Sequence, residues 1–147
     1  MADLAPTAAQ VAPVNETQYV AKTYIAAATI TAGQVVYLTT AGKVNLARAN
    51  ATGTVQTVVG VALNGASTGQ PVEVMIRGSV YGMNVSGMAY GAKVYVSSAA
   101  AGAAQDTIVT GTGNFVKAIG DVEPMSDSDL TKVLWVDCSH IDVLTAL

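Results

Sequence analysis

The sequence predicts an all-β protein: a small β-barrel or sandwich built from a duplicated β unit and preceded by an extended N-terminal arm. Segments rich in Val, Ile, Thr and Tyr alternate apolar with small or polar residues, as strands do. Breaks rich in Gly, Asn, Ser and Thr recur about every 8–12 residues, a spacing typical of sandwiches and barrels. Helical apolar spacing is sustained nowhere, and only residues 99–104 and the end "HIDVLTAL" could form a helical turn.

Residues 1–16 are predicted to form the arm, and residues 17–147 a single β domain. Pro6 and Pro13 fix extended backbone, and the Ala, Thr and Gln around them offer no apolar face. Two interpretations stay open: a disordered tail, or an arm that becomes ordered on a neighbouring subunit. In the second, three aliphatic side chains would anchor the arm: Leu4, Val11 and Val14.

The predicted strands follow one another along the domain with short breaks between them. In chain order they are "TQYVAKTYIAAATI", "VVYLTT", "VNLA", "VQTVVGVAL", "PVEVMIRG", "SVYGMNV", "KVYVSS", "DTIVT", "FVKAIGDVE" and "TKVLWVDCS". Turns are predicted at "TAGQ", "AGKV", "NGASTGQ" and "GTGN", and loops at "AAAGAAQ" and "PMSDSDL". This succession contains no long helical insertion, which favours an antiparallel architecture.

The two halves of the domain, about 17–85 and 86–142, resemble each other. "AGQVVYLTTAG" in the first half matches "YGAKVYVSSAA" in the second, so that Gly33 aligns with Gly91 at an offset of 58 (91 − 33). In both halves a Gly precedes a strand, a loose loop follows, and a second strand contains another Gly. The ordered match predicts an internal duplication of one β unit.

Gly60 and Gly120 align at an offset of 60 (120 − 60), and both lie inside apolar runs. Glycine inside a strand weakens it by roughly 0.5–1 kcal/mol relative to alanine. Such a glycine usually indicates a bulge, a bend or a close approach of two backbones. We therefore expect both residues to lie where a strand bends or meets a neighbouring backbone.

The composition favours a protein that associates with other proteins, and it argues against nucleic-acid binding. The chain is 51% hydrophobic and only 12% charged, against about 25% charged in typical domains. A weakly charged, Thr-rich surface loses little on desolvation, which suits a subunit of an assembly, although an ordinary β protein with a bland surface fits equally. The seven basic residues are scattered singly and the net charge is −3, so nucleic-acid binding is not expected.

No membrane span and no disulfide are predicted. The N-terminus lacks the basic and apolar regions of a signal peptide, and the charge-free segment 49–72 is too rich in polar residues to span a bilayer. With one cysteine, the chain cannot form an intrachain disulfide.

The end of the chain holds the one arrangement that suggests nucleophilic or metal chemistry. Cys138 and His140 are two positions apart and share a face on a strand, and Asp137 or Asp142 could orient the histidine. A structural zinc site needs about four ligands, which this set cannot supply alone. The interpretation favoured here is a buried cysteine at a strand end and a surface histidine.

The stretch "DVEPMSDSDL" is the most acidic part of the chain. It carries four carboxylates: Asp121, Glu123, Asp127 and Asp129. It lacks the central glycine and the distal glutamate of a calcium loop, so a polar connecting loop is predicted and cation binding stays open.

No enzymatic activity is expected. The chain has no Walker lysine, nucleophile elbow or pair of catalytic carboxylates, and no catalytic, cofactor-binding or metal-binding residue is predicted. The six tyrosines and Trp135 are dispersed along the chain, which favours core packing over a stacking platform.

Three successive segments resemble the small head-decoration, or capsid cement, proteins of tailed bacteriophages. They are "ITAGQVVYLTTAGKVNLARA", "VVGVALNGASTGQPVEVMIRGSV" and "SGMAYGAKVYVSSAAAG". Members of that family show a similar order of a Gly-x-x-Val strand, a "VGVAL" strand, a turn with "GQPV", and a second Gly-x-x-Val-Tyr strand. The resemblance covers roughly residues 30–100 and continues more weakly through "FVKAIGDV"; it includes neither the arm nor the loop 124–130.

The resemblance implies a structural role on a virion. Such proteins bind the outer surface of the assembled head, often as homotrimers at threefold or quasi-threefold positions, and clamp neighbouring major capsid protein subunits. The implied location is the outside of the capsid after synthesis in the host cytoplasm, with the major capsid protein as partner and no nucleic acid, membrane or cofactor involved. The residues expected to contact the capsid come from the arm and from the start of the domain: Leu4, Pro6, Val11, Pro13, Val14 and Tyr19.

Two other classes of function fit the same residues. One is a different virion structural protein, such as a head fibre base or a tail component. The other is a small carbohydrate-binding or ligand-binding β domain, which would need a concave aromatic cluster.

Overall fold

The protein is built almost entirely of antiparallel strands. The computed structural model describes residues 3–50, 56–139 and 144–145. The strands are β1 (Ala12–Pro13), β2 (Val20–Ile25), β3 (Val35–Leu38), β4 (Val44–Leu46), β5 (Thr57–Ala62), β6 (Pro71–Tyr81), β7 (Lys93–Val96), β8 (Ala104–Gln105), β9 (Phe115–Val116), β10 (Ala118–Pro124), β11 (Lys132–Asp137) and β12 (Leu144–Thr145). A single 3₁₀ turn at Ala8–Gln10 is the only helical element of the described residues.

Ten strands form one sheet in the order β4-β3-β5-β6-β11-β10-β7-β8, with β1 and β2 paired to β6; β9 and β12 form a separate pair. The sheet is not closed by a strand pair, so the protein is a sandwich-type all-β fold and the barrel alternative is wrong. Backbone hydrogen bonds that belong to no strand pair nevertheless link the two ends of the sheet. The amide of Val35 donates to Gly102 (2.8 Å), and that of Gly102 donates to Ala47 (2.7 Å).

Two apolar clusters lie inside the fold. The main cluster contains buried residues from both halves of the chain, among them Val61, Met75, Leu134 and Phe115. A second, smaller cluster lies within the first half and includes Ile30. Among the described residues, no buried side-chain nitrogen or oxygen lacks a hydrogen-bond partner. The buried polar side chains of the described residues are therefore all paired.

The two halves are constructed alike, strand by strand. In the first, Val36 pairs with Gly60 and Tyr37 with Val58, so that one extra residue of β5 forms a bulge. The second half repeats this register 58 to 60 positions later, where the bulge of β10 separates two pairs: Val94 with Gly120, and Tyr95 with Ala118. The sheet order also reverses about the β6–β11 pair. The duplicated unit expected from the sequence is thus present in the strand order and in the bulge.

The close approach expected at the glycines is present at both. A Cβ added to Gly60 would lie 2.0 Å from the carbonyl oxygen of Met75, and one added to Gly120 would lie 1.9 Å from that of Trp135. No side chain fits at such a distance. Glycine is therefore required at both bulges.

The equivalent strands of the two units turn opposite faces to the main cluster. In the second unit, the main cluster includes Val94, Val122 and Leu134. The residues at the equivalent places of the first unit belong to the smaller cluster: Val36, Ala62 and Val74. The second unit's side chains on the opposite face, those of Lys93, Asp121 and Trp135, consequently lie outside the main cluster.

Several details of the strand prediction are wrong. "FVKAIGDVE" was expected as one strand but contains β9 and β10, which belong to different sheets, and the end where a helical turn was expected contains β12. The predicted strand "DTIVT" is not a strand; the strand lies just before it, at β8, inside the segment predicted as a loose loop. "PVEVMIRG" and "SVYGMNV" were expected as two strands, but the chain runs through Gly78 without interruption in β6. A Cβ at Gly78 would lie 2.7 Å from the Cβ of Tyr19, so the glycine admits a neighbouring segment and does not end the strand.

Candidate interaction surfaces

The N-terminal segment, residues 3–14, is extended but lies on its own domain. The amide of Leu4 donates to Ala104 (2.7 Å), that of Thr7 to Gly82 (2.9 Å) and that of Val14 to Ser79 (3.0 Å). This differs from a free arm, because backbone groups along the segment are already paired within the chain.

Side chains fix the same segment. The side-chain amide of Asn84 donates to the carbonyl of Ala5 and to the hydroxyl of Thr7 (2.9 Å). Asn84 has φ = 58°, a left-handed conformation that asparagine tolerates better than most residues. On the other side, Pro6 fills the space that a side chain at Gly33 would need.

The six residues expected to contact a capsid are distributed along this segment and just after it. Val11 is buried, with 8% of its surface exposed, and belongs to the main cluster. Its side chain is therefore already engaged in the core and is not available to a neighbouring subunit. The other five are half-buried: Leu4, Pro6, Pro13, Val14 and Tyr19.

Tyr19 is placed by an acidic neighbour. Its hydroxyl donates to the carboxylate of Glu73 at 3.4 Å. The negative charge of Glu73 raises the pKa of Tyr19, because ionising the phenol beside a carboxylate is unfavourable. Tyr19 thus remains neutral and acts as a hydrogen-bond donor.

Four large side chains form what we call the rim surface: Tyr81, Tyr90, Met125 and Leu130. The hydroxyl of Tyr81 contacts the sulfur of Met125 at 3.5 Å, and that of Tyr90 donates to the carbonyl of Leu130. Leu130 is 65% exposed and Tyr90 50% exposed. Lys132 lies next to both pairs: its ammonium is 5.1 Å from the Tyr90 ring centroid, and it lines the groove that Tyr81 and Met125 also border.

A groove on the second unit, which we call the Trp135 groove, has a volume of about 340 Å³. Its lining includes Trp135, two lysines (Lys93, Lys117) and three carboxylates (Asp121, Glu123, Asp137). Asp121 pairs across the strands with Trp135 on one side and with Lys93 on the other. The Lys93 ammonium lies 3.5 Å from the Asp121 carboxylate.

Trp135 also borders a second groove of about 310 Å³, which includes Arg77 and residues 17–20. The guanidinium carbon of Arg77 lies 5.8 Å from the indole centroid, a cation–π contact. Trp135 therefore separates two grooves, with Arg77 bordering only one of them.

The aromatic residues only partly follow the expectation of core packing. Four tyrosines pack against the two clusters: Tyr19, Tyr24, Tyr37 and Tyr95. Tyr81 and Tyr90 are exposed, and Trp135 is half-buried outside both clusters of the described residues. For these three the expectation of core packing is wrong, because their strands and loops turn them away from the core.

Cys138 is buried, with its sulfur 3.8 Å from the carbonyl oxygen of Ile119. Burial raises the pKa of the thiol to about 12. The reactive thiolate is therefore scarce at neutral pH, which argues against a nucleophilic role. His140 and Asp142, the proposed partners, lie outside the described residues.

The acidic loop is organised by its own hydrogen bonds. The Asp129 carboxylate accepts from the amide (3.0 Å) and the hydroxyl (2.7 Å) of Thr131, and these bonds lower its pKa. Among the residues that the structure describes, no three His, Cys, Asp or Glu side chains converge as a metal site. Asp121 is not part of this loop: it lies in β10 and lines the Trp135 groove.

Comparison of the chain with family models, with curated proteins and with solved structures finds no match. In the described part of the chain, no helix has the length and apolar character needed to cross a membrane.

Sequence reasoning missed the rim surface and the Trp135 groove. One signal for the groove was present. Trp135 follows Met75 by the repeat offset of 60 (135 − 75), and Asp121 follows Val61 by the same distance (121 − 61). A charged and an aromatic residue at places where the first unit has aliphatic ones indicates an exposed row.

Proposed function

We propose that this protein is a capsid decoration protein of a tailed bacteriophage, which binds the outside of the assembled head and clamps neighbouring major capsid protein subunits. The observation that carries the proposal is the rim surface, where the exposed side chains of Tyr81, Tyr90 and Leu130 lie with Met125 around Lys132. Contiguous apolar groups on a soluble surface are typical of protein docking sites. The sequence resemblance gives the identity of the partner.

The weak charge of the chain supports this role. With 12% charged residues, little ionic hydration has to be removed when a large surface docks. A clamp that binds only the assembled lattice stabilises it by its binding free energy, repeated over many copies. No chemical step is needed for this.

In this proposal the N-terminal segment is part of the domain surface and not a free arm. Its residues are paired to the domain, and its Gln10 lines the groove that Tyr81 and Met125 also border. In this proposal the segment and the rim surface together form one docking area. A homotrimer at a threefold position would present this area three times.

The test uses shells of the phage that encodes this chain, assembled without it. The purified protein is added, and bound copies are counted by electron microscopy and by co-sedimentation. We expect saturable binding over the shell and a higher temperature for release of the packaged DNA. Label found on the tail or at one vertex would instead support a tail component or a fibre base.

A matched pair of variants locates the docking surface. Leu130→Asn removes an apolar side chain from the rim surface, whereas Ile108→Asn removes one of similar exposure (55%) from a separate loop. We expect the first to weaken shell binding at least about tenfold and the second to leave it unchanged. Equal binding by both variants would contradict the assignment of the rim surface.

A further inference from the structure

The Trp135 groove is the surface feature that the decoration role leaves unexplained. In the first unit, the row Val35–Val61–Met75 crosses three neighbouring strands and is fully buried. The equivalent row of the second unit is Lys93–Asp121–Trp135, with the same cross-strand pairing. The same scaffold thus carries a buried aliphatic row in one unit and an accessible polar–aromatic row in the other.

Packing does not account for the tryptophan. Trp135 is the only tryptophan of the sequence, and neither apolar cluster of the described residues includes it. The indole is half-buried and lies outside both clusters, so the part of the ring that lines the groove is open to a ligand. Its position is nevertheless well defined, since β11 is paired along both edges, to β6 and to β10.

The polar groups of the groove share the face of the indole. Asp121 lies directly opposite Trp135, while Glu123 and Asp137 follow these two residues by two positions and so point to the same side. Lys93 is opposite Asp121 on the next strand. The groove therefore surrounds an aromatic surface with carboxylates that accept hydrogen bonds. Of its two lysines, Lys93 is paired with Asp121 and Lys117 is buried.

This chemistry selects the class of ligand. Two lysines and three carboxylates do not form a field of one sign, which disfavours phosphates and polycations. An apolar ligand would leave these charged groups desolvated. A neutral sugar offers hydroxyls that both donate and accept, and C–H faces that stack on an indole. The volume of about 340 Å³ is at the small end of the range for small-molecule sites, about 300–1,000 Å³.

We propose that the Trp135 groove binds a neutral saccharide, with one sugar ring stacked on the indole and its hydroxyls held by Asp121 and the neighbouring carboxylates. Arg77, on the side of the second groove, fixes the indole through the cation–π contact. The protein would thus carry a site for surface glycans in addition to its docking surface. This inference is independent of the shell-binding proposal.

The experiment uses the isolated full-length protein and neutral oligosaccharides. Because Trp135 is the only tryptophan, its fluorescence reports on the two grooves that it borders, and a variant of Asp121, which lines only the Trp135 groove, assigns the signal to that groove. An array of neutral, anionic and cationic glycans identifies the best sugar, which is then titrated by fluorescence and by calorimetry. We expect neutral glycans to be retained and to shift the indole emission in a saturable way.

Variants decide whether the groove is responsible. Asp121→Asn keeps the shape but removes a charged acceptor, and should weaken binding about tenfold or more; Trp135→Leu should abolish it. Tyr90→Phe, on the rim surface, is the control and should bind as the parent does. Retention of anionic glycans only, no retention of any glycan, or undiminished binding by Trp135→Leu and Asp121→Asn would each overturn the proposal. Since no shells are present, these outcomes leave the decoration role to its own test.

Discussion

Gly60 and Gly120 occupy the same position in the two β units, each at a bulge and each against a carbonyl oxygen of the following strand, at Met75 and Trp135. The two contacts agree to within a tenth of an ångström, 2.0 and 1.9 Å from an added Cβ. The repeat is therefore conserved inside the chain in its closest backbone contact, even though the side chains around it have diverged. This pair provides a direct test of how the units are built.

Gly60→Ala and Gly120→Ala should each destabilise the protein strongly. A methyl group at either position would overlap a backbone carbonyl, and two paired strands would have to separate. We expect the free energy of unfolding to fall by about 2–4 kcal/mol for each. Urea denaturation followed by circular dichroism measures the loss.

Gly87→Ala is the matched control, because nothing lies within 4 Å of a Cβ added there. Its stability should stay within about 0.5 kcal/mol of the parent. A Gly60 or Gly120 variant as stable as this control would show that the two backbones do not meet as described.

Met75 and Trp135 are equivalent in register but not in burial, so they should respond differently to truncation. Met75→Ala opens a cavity in the main cluster and should cost about 2–5 kcal/mol. Trp135→Ala removes a half-buried ring outside both clusters of the described residues and should cost about 1 kcal/mol. Thermal and urea unfolding of both variants compare them directly; a larger loss for Trp135 would mean that the ring is a core residue.

Asn84 should hold the N-terminal segment on the domain. Asn84→Ala removes its hydrogen bonds to Ala5 and Thr7 and leaves an alanine at φ = 58°, both of which are unfavourable. Asn84→Gly removes the same bonds but tolerates the backbone. We expect faster proteolysis before residue 12 in both variants and a clear loss of global stability, about 1–2 kcal/mol, only in Asn84→Ala. Parent-like proteolysis of both variants would mean that Asn84 does not hold the segment.

The sequence was sufficient for the fold class, for most of the strands and for the duplicated unit, because these follow from local alternation and from glycines at fixed offsets. It was insufficient where a contact between residues far apart in the sequence determines the structure. Gly78 was expected to end a strand, yet Tyr19 packs against it and the strand continues. Val11 was expected to anchor on another subunit, yet its side chain packs in the core of its own domain. Neither neighbour is close in sequence.

The candidate site depended on a further property that local patterns do not contain. Alternation identifies which residues share a face of a strand, but not which face is covered. Val36 and Val94 are equivalent, and only the tertiary arrangement places them in different clusters. The exposed row at Lys93, Asp121 and Trp135 follows from that choice, so it could be recognised only once the sheet was assembled.

The buried thiol of Cys138 should make stability fall in alkaline solution. Its pKa in the folded state is about 12, above the ordinary value of 9.0. Between these two pH values the unfolded chain loses the thiol proton while the folded protein retains it, so the free energy of unfolding decreases as pH rises, by up to about 1.4 kcal/mol per pH unit. Below pH 9 this contribution is fully present.

Urea midpoints measured from pH 7.5 to 10.5 should fall more steeply for the parent than for Cys138→Ala, and a thiol reagent should react at pH 8 only after unfolding. Rapid modification of the folded protein, or identical pH dependence of the two proteins, would contradict a protonated, buried Cys138.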